Sequence, residues 1–155
     1  MAWYRDLEPC TYFGVTRVPL LAVGWLEAGH EIPQGPIPPV DVLRKLARML
    51  DVDVSHGFLG WHDCEFCRLS VGPRELQFMM GEMDASQHVS MGIRNLFVPA
   101  GPVAYVAPSL VFHYLDSHGY GLPQVFVDAV QACPDPSTPA YRAAVLASLS
   151  RDATP

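Results

Sequence analysis

Fifteen prolines in 155 residues cut this chain into short pieces, because a proline inside a helix removes a backbone donor and clashes with the preceding turn. Their placement is informative. Pro33, Gly35, Pro36, Pro38 and Pro39 form a stiff connector over residues 33–39. Pro39, Pro108, Pro123 and Pro139 each stand at the head of a stretch with helical spacing, where the lost N–H would have no partner anyway. Pro134 and Pro136 close such a stretch.

Between these marks the apolar spacing assigns the elements. Val42, Leu43, Leu46, Met49 and Leu50 predict an amphipathic helix over residues 40–50, with Arg44, Lys45 and Arg48 as its solvated face. A second helix is predicted from Pro108, carrying Leu110, Val111, Tyr114 and Leu115 and stopped by Gly119 after His118. A third, opened by Pro123, carries Phe126, Ala129, Val130 and Cys133, and a fourth, over residues 139–149, carries Tyr141, Val145 and Leu149. Strands are predicted over residues 18–26, 57–62, 68–70 and 75–80, and 81–92 reads as a mobile loop. Residues 93–98 and 103–106 read as a hairpin whose prolines stay in the turn. Strands first and helices last imply an α+β fold. The expectation is a small antiparallel or mixed sheet, one amphipathic helix early and a C-terminal helical layer, in one globular domain spanning residues 1–155.

Half of the residues are hydrophobic, so a chain of this size buries a core without staples. Sixteen acids against ten bases give a net charge of -6, which argues against a nucleic-acid partner. The N-terminus mixes charges without an apolar core, and the most apolar early run is too short to cross a bilayer. A cytoplasmic protein with no membrane association is expected. Nine arginines against the single Lys45, with many Ala, Gly, Pro and Val, fit a GC-rich bacterial genome.

Four cysteines in such a compartment need an explanation other than disulfides. The densest cluster is His62-Asp63-Cys64-Glu65-Phe66-Cys67. A Cys-x-x-Cys turn at the end of a strand points two thiolates at one centre while backbone amides offset their charge. If the strand continues, His62 and Cys64 share a face. These are ligands of the kind tetrahedral zinc prefers, and the remaining one must come from far away in sequence. His113 is the leading candidate, with His118, Cys10 and Cys133 behind it. His113 and His118 are five apart, about 140° around a helix, which argues against both binding one ion. His118 in the last turn reads better as core or cap, and Cys133 as packing.

Competing readings are weaker. Packed thiols would need no metal. A redox pair needs its first cysteine at a helix N-terminus, whereas an acid such as Glu65 between the two would raise the thiol pKa. Met79, Met80, Met83, Met91 and His88 could bind soft copper, but methionine more commonly fills core. There is no Gly-x-Ser-x-Gly elbow, phosphate-binding glycine loop, His-Glu-x-x-His or zinc-deaminase pattern.

Several stretches resemble an uncharacterised family of small bacterial proteins, a domain of unknown function. They are Trp3-Tyr4 with Leu7-Glu8-Pro9-Cys10, residues 22–26, Gly60-Trp61-His62-Asp63-Cys64-Glu65-Phe66-Cys67, residues 95–99, Tyr105-Val106-Ala107-Pro108, and His113-Tyr114 with His118-Gly119-Tyr120. The resemblance brings segment boundaries and no activity. The residues themselves predict a zinc centre formed by His62, Cys64, Cys67 and His113, a closed structural site in a binding or regulatory module. Its partner would be an unidentified protein or small molecule. The alternatives are a zinc-dependent hydrolase with an open coordination position, served by Glu65, Asp116 or His118, and a metal-free, toxin-neutralising type of interaction protein.

Overall fold

The computed structural model describes residues 2–52, 62–67, 75–77, 88–90 and 92–150. Its elements in chain order are β1 (Leu20–Ala22), α1 (Val40–Met49), β2 (Glu75–Gln77), β3 (His88–Ser90), β4 (Asn95–Ala100), β5 (Val103–Pro108), α2 (Val111–Ser117), α3 (Gln124–Ala132) and α4 (Pro139–Leu149). A three-stranded sheet has the order β1-β5-β4, with β1 parallel and β4 antiparallel to β5. β2 and β3 form a separate antiparallel pair. Among the described residues the arrangement is α+β, with a mixed sheet and four helices.

Several boundaries differ from the sequence expectation for physical reasons. The strand expected over 18–26 pairs only over Leu20–Ala22, because Gly24 turns the chain with a left-handed φ of 69°. The opposite edge of β1 is met by the N-terminal segment, where Leu7 and Cys10 donate to the Ala22 and Leu20 carbonyls at 2.7 Å each. Pro99 lies inside β4 rather than in the turn, which Gly101 and Pro102 make alone. β4 is an edge strand of this sheet, so the missing N–H costs no ladder bond if it faces outward. Pro108 is the last residue of β5 instead of a helix start, and α2 begins three residues later. Part of the expected loop 81–92 is β3, paired with β2. The strand expected over 57–62 apart from His62, the strand expected over 68–70, and Met79, Met80, Met83 and Met91 of the copper reading lie outside the described residues.

The core forms where α1, α3 and α4 pack on the sheet, with β4 contacting all three. Leu43, Leu46 and Met49 of α1, Phe126 and Val130 of α3, and Tyr141 and Val145 of α4 are buried with Leu96, Phe97, Val98 and Val106 of the strands. Full burial of each large apolar side chain contributes about 1.5–3 kcal/mol. Two polar groups that enter this core are bonded there: the Tyr141 hydroxyl donates to the Phe97 carbonyl at 2.6 Å, and the Trp25 indole N–H donates to the Val106 carbonyl at 3.0 Å. The basic trio of α1 divides. Arg44 and Arg48 are exposed, but the Lys45 ammonium donates to the Gln131 and Cys133 carbonyls at the C-terminal end of α3, where the helix dipole favours a cation.

Candidate metal centre

The segment 62–67 is irregular chain rather than strand, held at its start by one close approach. His62 N–H donates to the Gly92 carbonyl at 2.8 Å, and a Cβ at residue 92 would lie 2.6 Å from the His62 carbonyl oxygen. Only glycine lets the two backbones come this near. Gly92 is itself bonded to the Ser109 hydroxyl at 2.9 Å, just before α2. At the far side, Glu65 accepts the Ala28 N–H at 3.2 Å. Phe66 packs edge-on against Tyr114 and tilted against His118. The turn is therefore pinned from three directions, and its Phe66 and Cys67 amides bond the Cys64 sulfur.

Opposite it, α2 presents a buried His113. His118 is the residue after the last helical one, and its φ of −123° and ψ of 4° depart from helical values. Its imidazole lies beside that of His113, with ring centroids 4.9 Å apart. The position is locked by Gln34, whose side-chain amide donates to the His118 carbonyl at 3.1 Å, and by Tyr120 N–H bonding the Tyr114 carbonyl.

The result is a convergence of four donors. Cys64 Sγ, Cys67 Sγ, His113 Nε2 and His118 Nε2 form a group whose ligand atoms all lie within 4.8 Å of one another, and the four could hold a metal ion. Three separations are shorter: Cys64 Sγ to His118 Nε2 is 3.3 Å, Cys67 Sγ to His113 Nε2 is 3.2 Å, and Nε2 to Nε2 is 3.2 Å. Ordinary zinc bond lengths in a tetrahedron put two nitrogens about 3.3 Å apart, nitrogen and sulfur about 3.6 Å, and two sulfurs about 3.8 Å. The nitrogen–nitrogen separation of 3.2 Å is close to that, and the two nitrogen–sulfur separations of 3.2 and 3.3 Å are somewhat shorter.

Protons alone do not satisfy the arrangement. Each Nε2 either donates one hydrogen or offers one lone pair. The three contacts form a chain from Cys67 through His113 and His118 to Cys64, in which each nitrogen is used twice. At most two of the three can be hydrogen bonds at once, and if both thiols donate, the two imidazole lone pairs face each other at 3.2 Å. A cation at the centre meets all four donors together. The surroundings favour the ligating forms of the histidines: burial, then His118, pulls the His113 pKa down, and burial does the same to His118. Burial pushes the Cys64 thiol up, a tendency that a bound dication reverses.

Of the residues expected at the site, Cys64, Cys67 and His113 are brought together, and His62 is not among the clustered donors. Its reading depended on a strand running through residues 62–64, and the chain there has none. His118 takes the place instead. The rotation argument against pairing it with His113 applies only inside a helix, and Gly119 already marked His118 as the end of one. Cys10 is buried beside β1, Cys133 donates its thiol to the Val130 carbonyl at 3.3 Å, and neither joins the cluster. None of the four cysteines is in a disulfide.

The family described as Domain of unknown function (DUF7919) matches residues 2–131, and the chain belongs to it. No curated protein and no solved structure matches the chain. The matched range contains the whole donor cluster.

Proposed function

We propose that this DUF7919 member is a zinc protein whose metal is structural, bound by Cys64, Cys67, His113 and His118, and that it serves as a binding or regulatory module. The observation that carries the reading is the convergence of two sulfurs and two imidazole nitrogens on one point. Two thiolates and two neutral imidazoles are a donor set that zinc takes in closed tetrahedral sites. Four protein donors complete that tetrahedron, which favours a structural role over a hydrolytic one. Of the residues considered as proton shuttles, His118 is itself in the donor set.

Bound there, zinc ties the turn at residues 64–67 to the end of α2 and so links chain segments about fifty residues apart. The unfolded chain has no such preformed site, so binding energy becomes folding energy. A reducing, cytoplasmic setting suits free thiols.

The test is elemental analysis of protein purified without added metal or a polyhistidine tag, together with thiol titration before and after chelation. About one zinc per chain, and two more thiols titrating after chelation than before, is the expected result. Metal-free protein whose thiols titrate identically with and without chelator would overturn the reading.

A further inference from the structure

Away from the four donors, a half-open cleft of about 470 Å³ lies between the N-terminal segment and the loop after β1. Its lining combines the aromatic residues Trp3 and Tyr4, the apolar Leu26, and the acidic residues Asp6 and Glu31. That volume lies within the range of small-molecule sites. His30, also in the lining, stacks on Trp3 with ring centroids 3.9 Å apart and planes 12° from parallel. The stack holds the indole against one wall.

The charge in the cleft is unbalanced. Arg5 stands against two acids in the lining, and the whole chain carries a net charge of -6. Asp6 is the informative residue. Its Oδ1 accepts the Gly24 N–H and its Oδ2 accepts the Tyr120 hydroxyl, both at 2.8 Å. Both donors are neutral. A carboxylate offers about four lone-pair sites, so two acceptor positions remain. Burial pushes the Asp6 carboxyl up, against the opposing effect of these two hydrogen bonds.

From these residues we propose that the cleft binds a small organic cation, an ammonium, amidinium or guanidinium group on an apolar body, with Asp6 and Glu31 meeting the charge and Trp3 and Tyr4 the body. Aromatic faces attract such cations, while a fully hydrated inorganic ion would gain little from Leu26 and the two rings. A free anion is disfavoured by both carboxylates. The walls are rigidly hung. Ala28, in the turn before His30, is bonded to Glu65, and Tyr120, which holds Asp6, follows His118 by two residues. The cleft is thus braced by the same segments that form the four-donor cluster, although its ligand chemistry does not depend on which metal is bound there.

The test titrates the full-length, as-purified protein with benzamidine, with neutral benzamide as the isostere. Calorimetry and the Trp3 indole N–H resonance, assigned with Trp3→Phe, give the readouts. Benzamidine should bind at a single site with a dissociation constant below millimolar and move the Trp3 signal, with benzamide at least about tenfold weaker. Glu31→Gln, at an exposed position that leaves the fold intact, should weaken benzamidine several-fold, and Asp6→Asn should weaken it further. Equal binding of benzamide, absence of benzamidine binding in the millimolar range, or unchanged affinity in Glu31→Gln would overturn the proposal.

Discussion

On the proposed structural role, removing the metal should cost this protein a large share of its stability, and the size follows from where the donors sit. Cys67 and His113 are 46 residues apart, and Cys64 and His118 are 54 apart. A cross-link closing a loop of about fifty residues stabilises the native state by about 4 kcal/mol in the chain-entropy treatment, and a metal clip acts on the unfolded chain in the same way. For a chain of this length each kcal/mol shifts Tm by about 2–4 °C, so stripping the metal should lower Tm by roughly 8–16 °C. The assay is thermal unfolding by circular dichroism with and without an excess of chelator, on wild type, Cys64→Ser, His118→Ala and His62→Ala. Cys64→Ser and His118→Ala should unfold near the chelated wild type and respond no further to chelator. His62→Ala should retain both the metal and the chelator response, because His62 lies outside the donor group. Equal Tm for loaded and chelated wild type would refute a structural metal. Loss of metal in His62→Ala but not in His118→Ala would refute the ligand set.

Three further expectations concern the supports of the site and the core. Gly92→Ala places a methyl 2.6 Å from the His62 carbonyl at a φ of 86°, so it should cost at least about 1 kcal/mol in urea unfolding and weaken metal retention, whereas full stability with unchanged metal content would contradict the close approach. Lys45→Met keeps the stem but removes the cation from the Gln131 and Cys133 carbonyls, and should cost about 1–2 kcal/mol by chemical denaturation. No measurable loss would mean that water caps that helix end equally well. Asp6 binds its proton more tightly in the folded than in the unfolded chain, so between its ordinary value of 3.8 and its raised folded value the native state holds more protons. Its contribution to stability therefore falls as pH rises through that window, and the difference between wild type and Asp6→Asn in urea unfolding from acid to neutral pH should show that slope, while a flat difference would count against it.

The limits of sequence reading show in particular residues. The spacing of Leu43, Leu46 and Met49 identified α1, and Tyr141 and Val145 identified α4, because a helix's period is local and its apolar stripe must be buried. Gly24 and Pro99 changed strand boundaries, since whether a residue can sit in a strand depends on which neighbours pair with it. The parallel pairing of β1 with β5 joins residues more than eighty positions apart, as in Leu20 with Ala104, and no local pattern records it. Lys45 looked like a solvated charge until α3 supplied the carbonyls it meets.

The same division runs through the donor cluster. Cys64 and Cys67 are three residues apart, a spacing that lets one turn aim both sulfurs at a common point, and so the chain's order alone determined half of the set, together with the α+β class and the helical end at Gly119. The other half was decided by tertiary structure. Which histidines face the two sulfurs depends on how α2 docks against residues 62–67 and on how its last turn unwinds, and that is governed by the Gly92 approach, the Glu65 anchor and the Gln34 clasp on His118. Those contacts join segments tens of residues apart, where packing and backbone hydrogen bonding choose the geometry and no sequence period carries it.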